Sequence, residues 1–428
     1  MRLFIKSLFF AACGSIVLAG CQVSSAIGTV PGTLAPARTT VAIGTVAHRR
    51  LDVGFRFRND VSPEVTKLSI SDLCDEVYDS MRATCFGYTT QDAIRSTLYP
   101  TPTNGLEPND LSALYAFPTP EQQASSGIGS NQVVGIVVAY NYPNLESDLG
   151  SYRKFFGLPP CTVGNGCLKI VSVLPVTGSS IASTAYSVSA NPTTNIGGWA
   201  AEVDADTQVV SATCRNCKIV VAQAASDSLG DLGAAVRAAD AAGATVINAS
   251  FGAREDLAQA SLESLYVDSP RHVRLVAATG DSGPGVYFPA ASTSAIAVAG
   301  TSLAVDGTTV DESLWKGSGY GCSAIFAKPS WQAGSCAHRS VADVAAVADP
   351  SNGVWVYNSS FGGWSVIGGT SVAAPIIAAL DAMSSNALAG TGASRLYANR
   401  TRFLNVVPAA GNGDVATGLG VPQGLGGF

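Results

Sequence analysis

The sequence predicts an α/β fold, a doubly wound and mainly parallel sheet with helices on both faces, preceded by a short N-terminal region. Three observations carry that expectation. From Gln132 onward, continuous apolar runs alternate with helices rich in small residues, the pattern of strands buried on both faces. The 428 residues are 47% hydrophobic, enough for a large core and incompatible with disorder. Only 13% of residues are charged, about half the ~25% of an ordinary soluble domain. The formal charge is −6 and no basic stripe occurs, which argues against nucleic acid as a partner.

Taken in order, Met1 to Gly20 reads as a secretion signal, with Arg2 and Lys6 before a short apolar stretch, Leu8 to Leu18. The stretch is short for a bilayer span. It ends in Leu18-Ala19-Gly20-Cys21, which resembles a bacterial lipobox. Cys21 is therefore expected to carry the lipid that anchors the protein to a membrane, the outer membrane or cell surface being favoured. Residues 21–50, rich in Ser, Thr, Gly, Pro and Ala, suit a flexible tether. Residues 51–110 are more charged and too few for a good core, so they are expected to lean on the larger α/β region. Within them, Ser71 to Arg82 reads as a short amphipathic helix. Eight cysteines remain after Cys13 and Cys21, in the close pairs Cys74/Cys85, Cys161/Cys167, Cys214/Cys217 and Cys322/Cys336. In an oxidising compartment these read as four local disulfides.

The α/β region then supplies its elements. Val133–Ala139, Lys218–Gln223, Ala244–Asn248, Arg274–Ala278 and Ala295–Leu303 read as strands, and Leu229 to Ala242 as a helix ended by Gly243. Three segments carry chemistry. Gly368-Gly-Thr-Ser371-Val-Ala-Ala-Pro375 delivers a serine to the start of a helix, where the positive helix end lies near its hydroxyl. A plain Ser cap would look the same in isolation. A nucleophilic serine usually takes a histidine base, and only His48, His272 and His338 exist. His48 lies in the tether, His272 in a surface loop, and no His-Gly step occurs. Ser-His-Asp chemistry is excluded on inventory. Gly198-Trp-Ala-Ala-Glu202-Val-Asp204-Ala-Asp206 offers a substitute. In a helix Glu202 and Asp206 share a face and Asp204 points away. Two such carboxyls repel when both ionise and so share a proton. Finally, Asp281 in Ala277-Ala-Thr-Gly280-Asp281 sits at a strand's C-terminal end, where α/β sites form.

These three segments, in this order, resemble the sedolisin family of serine-carboxyl peptidases. The resemblance runs from about Leu111 to the C-terminus and includes Leu111-Ser-Ala-Leu-Tyr115, Phe156-Gly-Leu-Pro-Pro160, Tyr287-Phe-Pro-Ala-Ala291 and Thr417-Gly-Leu-Gly420. It implies a subtilisin-like fold over residues 111–428, with Ser371 as nucleophile, Glu202 as its base, Asp206 tuning Glu202 and Asp281 stabilising the oxyanion. Protein or peptide substrates, acid-pH hydrolysis through an acyl-enzyme and a monomeric body are expected. The family's calcium site would fall on Asn405, Val406, Gly411, Gly413 and Asp414. Here Asn405 replaces an Asp and the loop is one residue shorter, which weakens a hard oxygen site. Calcium is the one cofactor the resemblance implies. The family's long prodomain shrinks here to residues 51–110, with self-cleavage expected between Thr101 and Pro120. The competing reading is a catalytically idle surface lipoprotein that uses the same fold for adhesion.

Overall fold

The computed structural model describes residues 48–50, 70–75, 77–90, 105–174, 194, 197–267, 273–306, 309–384, 392–406 and 415–428. All of them fall within one compact unit, Gly44–Phe428. The signal segment, Cys21, most of the tether and His272 lie outside the described residues.

In chain order the elements begin with four short strands, β1 (His48–Arg50), β2 (Ile70–Asp72), β3 (Thr84–Cys85) and β4 (Tyr88–Thr90). Two helices, α1 (Pro108–Tyr115) and α2 (Pro120–Ser126), lead into β5 (Val133–Ala139), α3 (Leu145–Phe155) and β6 (Leu168–Ser172). Then come α4 (Gly198–Thr213), β7 (Lys218–Ala224), α5 (Leu229–Ala241), β8 (Val246–Ala249) and β9 (Phe251–Arg254). After α6 (Glu263–Val267) follow β10 (Arg274–Ala278), β11 (Tyr287–Phe288), β12 (Ala295–Asp306) and β13 (Thr309–Leu314). Then come β14 (Gly321–Cys322), β15 (Ser340–Val341), β16 (Val344–Val347), β17 (Val354–Asn358), β18 (Gly363–Gly368) and α7 (Thr370–Met383), and the described chain closes through α8 (Ser394–Ala398), β19 (Phe403–Leu404) and β20 (Val421–Pro422).

The main sheet has the order β1-β13-β12-β10-β8-β5-β7-β6, with β16 also paired to β12. The strands from β12 to β6 run parallel, as their continuous apolar sequences require. α5 packs on β5 and β7, while α4 and α7 lie against each other under β5, β8, β10 and β12. The close seat of α5 explains Gly135 in β5, where a Cβ would come within 3.3 Å of the Ala239 methyl. Ser228 caps α5 by accepting from the Asp231 N–H at 3.1 Å. The strand order reverses at β5, with β7 and β6 on one side and β8, β10 and β12 on the other, a switch point of the kind at whose strand ends α/β sites form a crevice. All four expected disulfides form, Cys74–Cys85, Cys161–Cys167, Cys214–Cys217 and Cys322–Cys336.

Two expectations are corrected. The helix read over Ser71 to Arg82 is absent; β2 and an irregular loop take its place. Strand pairing outweighs the local helical period there: β2 pairs with β4, β4 with β18, and β3 with β9. The bidentate ion pair from Arg82 to Asp227 fastens the loop to the body. The tether also ends earlier than its composition suggests, because His48–Arg50 add an antiparallel edge strand to β13.

The end of α7 is locked to the start of β10. Asp381 is fully buried and meets both Arg274 and Arg395. Removing it leaves two guanidinium groups without their shared anion, so Asp381→Ala should destabilise the fold by about 3–5 kcal/mol. The check is a fall in denaturant midpoint at unchanged slope; a shift near zero would show the triad to be dispensable.

Candidate active site

The crevice at the strand ends is built around the first turn of α7. β18 stops at Gly368, and Gly369 takes φ 110°, a conformation that disfavours any side chain. Ser371 follows as the second helical residue, so its N–H has no partner within the helix. That N–H instead donates to the Phe86 carbonyl at 3.0 Å. The Ser371 hydroxyl, fully buried, donates to the Ser250 carbonyl at 3.2 Å.

α4 brings two carboxyls to the same place. Every residue from Trp199 to Thr213 is buried, because the helix packs against α7, α3, α1 and β17 as well as the sheet. Glu202 and Asp206 share one face, and Asp204 turns away to accept from the Asn358 amide at 2.7 Å. Both Glu202 oxygens are buried without a hydrogen-bond partner among the described residues. Asp206 accepts from the Ser250 hydroxyl at 2.6 Å through Oδ1, and its Oδ2 is unpartnered. The Asn248 amide donates to Ser250 Oγ at 2.8 Å and so orients it toward Asp206.

Burial pushes the Glu202 carboxyl well above the usual range, and the Asp206 charge beside it adds to the rise. The Ser371 hydroxyl acts the other way, and Asp281 adds a smaller rise. Asp206 is raised by burial, against the opposing effect of the Ser250 and Asn248 side chains beside it. Asp281 follows the end of β10 and accepts at Oδ1 from the Thr370 N–H at 2.8 Å and the Thr370 hydroxyl at 2.7 Å. Burial lifts it to about 7 despite those two bonds. Its Oδ2 has no partner. Hence a protonated Asp281 carries a free O–H beside the Ser371 N–H.

The structure thus gathers Ser371, Glu202, Asp206 and Asp281 from three separate segments. Ser250 and Asn248 escaped the sequence reading, although polar residues at the end of an apolar parallel strand were the available signal. His338 is exposed and distant in role; no histidine side chain among the described residues joins the cluster. The calcium expectation fares differently. Gly411, Gly413 and Asp414 lie outside the described residues, and Asn405 with Val406 supplies no carboxylate. No group of three His, Cys, Asp or Glu residues suited to a metal occurs among the described residues. The described half offers amide and main-chain oxygens but no carboxylate, which makes a weaker seat for a hard cation.

Comparison with known proteins agrees with this architecture. The sequence model of the subtilase family matches residues 191–398, a span that contains all four clustered residues. Kumamolisin from Bacillus sp. (strain MN-32) is 32% identical over 287 residues, covering 55% of this chain. The match takes in 51% of kumamolisin, so the chain spans about half the length of that curated relative. The solved structure of Pseudomonas sedolisin, a serine-carboxyl proteinase complexed with pseudo-iodotyrostatin, superposes with a TM-score of 0.61 at 22% identity. It covers 75% of this chain and 96% of that one. The fold is therefore subtilisin-like, as the sequence predicts.

Four buried acids with raised affinities for protons couple stability to pH. Glu202, Asp204, Asp206 and Asp281 all hold protons more tightly when folded than when unfolded. Between about pH 4 and 7 the unfolded chain therefore binds fewer protons, and stability falls as pH rises. Each such group contributes a loss of about 1.4 kcal/mol per pH unit while it is protonated folded and ionised unfolded. The melting temperature should be higher at pH 4.5 than at pH 7.5. Asp204→Asn, which keeps the contact to Asn358 and removes one titration, should flatten that slope. A melting temperature that rises across this window would overturn the assignment.

Proposed function

From the site geometry and the similarity to kumamolisin and to Pseudomonas sedolisin, we propose that the chain is an exported serine-carboxyl endopeptidase of the sedolisin family that cuts protein or peptide substrates at acid pH. The observation that carries this reading is the set of unpartnered buried carboxyl oxygens, both of Glu202 and Oδ2 of Asp281, flanking one serine at a helix start. Each is an oxygen left without a partner in a site where a reacting substrate would supply one.

The chemistry follows from the residues. Ser371 Oγ attacks the carbonyl carbon of the substrate and gives its proton to ionised Glu202. Asp206, held by Ser250, keeps Glu202 basic and oriented. The developing oxyanion accepts from the Ser371 N–H and from protonated Asp281. Glu202 then passes its proton to the leaving amine, and the acyl group remains on Ser371. A water molecule, losing a proton to Glu202, releases the acid and restores the hydroxyl. Asp281 donates only while protonated, so the rate is expected to fall as pH rises through about 7.

Export with a lipid on Cys21 accounts for the N-terminal pattern, and four disulfides support an oxidising compartment. No described helix is long and apolar enough to cross a membrane. On this reading the lipid is the membrane contact.

Activity against a denatured protein across pH 2 to 9 tests the proposal. Ser371→Ala should lose at least about 10³-fold in rate, and Asp281→Ala about 10²- to 10³-fold in kcat. Full acid activity in Ser371→Ala would remove the mechanism. For the anchor, Cys21→Ser should shift the protein from the membrane to the soluble fraction and abolish an acyl mass on the mature N-terminus.

A further inference from the structure

The chain places one of its own peptide bonds in this site, in the register of a substrate. Phe86 and Gly87 lie between β3 and β4, and both sides of the bond between them are held by strand pairing. On the side before the bond, Thr84 and Cys85 run antiparallel to Gly252 and Phe251. The Phe86 N–H extends that ladder to the Ser250 carbonyl at 3.2 Å. On the side after it, the Gly87 carbonyl accepts from the Leu73 N–H at 2.8 Å. Beyond that, β4 pairs with β18, the strand that leads directly to Ser371.

The proposed oxyanion donors and base lie against this bond. The Phe86 oxygen accepts from the Ser371 N–H. A Cβ on Gly369 would lie 2.4 Å from that oxygen and 2.5 Å from Asp281 Oδ2, so the two oxygens flank one small space. A Cβ on Gly87 would lie 3.1 Å from Glu202 Oε2, which puts the base on the leaving-group side. The Phe86 ring is buried and meets Tyr287 edge-on at 5.3 Å. Space for it exists because residue 252 is glycine, whose Cβ would sit 2.9 Å from the ring carbons.

We propose that Phe86–Gly87 is an internal substrate bond, which the enzyme cuts in its own chain, and that the pocket holding Phe86 selects aromatic residues before the cut. The proposal rests on the peptidase reading above and assigns its specificity. It moves self-cleavage away from the Thr101 to Pro120 stretch. Ser371 Oγ bonds to the Phe86 carbonyl carbon while its proton passes to Glu202. The C–N bond to Gly87 then breaks and the new amine takes that proton. One water hydrolyses the Phe86 ester, leaving a carboxylate on Phe86 and an amino group on Gly87. The Cys74–Cys85 disulfide lies wholly on the acyl side of the cut. No described disulfide joins residues 1–86 to residues 87–428, so the cut separates the catalytic body from Cys21 once the strands part.

The test uses the full chain, purified at neutral pH, shifted to about pH 4 without reductant and followed by intact-mass and terminal-sequence mass spectrometry. The same samples are assayed on a denatured external protein. Wild type should yield a fragment beginning at Gly87, and Ser371→Ala should stay whole. Phe86→Asp should slow the cut about 100-fold or more, as a charge enters an apolar pocket, and external peptides should be cut after Phe or Tyr at least about tenfold faster than after Ala or Glu. If external protein is hydrolysed while Phe86–Gly87 stays intact, or the chain is cut elsewhere, the internal-substrate proposal falls and the peptidase reading stands. If neither is hydrolysed at any pH, both fall.

Discussion

The whole site depends on keeping carboxyl groups out of water without giving them cations. α4 is buried along nearly its full length, and its contact with α7 places Glu202 and Asp206 against the start of the serine helix. Desolvation favours the neutral form of an acid, and the mutual repulsion of the pair favours a shared proton. The same chain treats other buried acids in the opposite way: Asp381 meets two arginines and Asp343 meets Arg339. Charged groups are scarce in the sequence, and the fold places arginines on structural carboxylates while leaving the clustered ones unpaired. A salt bridge to Glu202 would fix its charge and rule out the proton transfer proposed for it.

That constraint also orders the architecture. Asp281 and Ser371 come from β10 and α7, and Arg274 at the start of β10 is joined to Asp381 near the end of α7. The two elements are thus clamped at one end by an ion pair and at the other by the bonds from Thr370 to Asp281. A donor to an oxyanion must be held in place before charge develops, because reorganisation at that moment would cost rate. For Asp281 in its proposed role, a strand and a helix fixed at both ends meet that need better than a loop would.

How much of this was legible in the sequence depends on how local each feature is. Glu202, Asp204 and Asp206 lie within one turn and a quarter of a helix, so helical spacing alone separates the cluster pair from Asp204. Gly369 and Gly280 mark turns whose conformations a single residue type decides. The strands Val133–Ala139 and Arg274–Ala278 were readable to the residue, because an apolar run bounded by turns has few alternatives. Ser250 was not, since its value lies in contacts with Asp206 and Ser371, 44 and 121 residues away. The helix read over Ser71 to Arg82 failed for the same reason. Its residues have an acceptable helical period, and only the partners β4, β9 and β18, remote in sequence, decide otherwise.

Three glycines show how sequence and site meet. At Gly369, Gly87 and Gly252 a methyl group would strike the oxyanion space, the base and the Phe86 ring respectively. In the proposed mechanism each absence of a side chain corresponds to one requirement of acyl transfer: room for the oxygen that gains charge, access for the group that moves the proton, and a seat for the side chain that sets the register. Gly369 and Gly252 belong to the body, whereas Gly87 belongs to the strand that fills the cleft. A peptide bond followed by glycine lets Glu202 approach the leaving nitrogen without displacing Leu73, which holds the Gly87 carbonyl. The complementarity between the Phe86–Gly87 step and the body is thus steric and hydrogen-bonded together. A segment that merely covered the crevice would need neither the carbonyl at the Ser371 N–H nor the missing side chain beside Glu202.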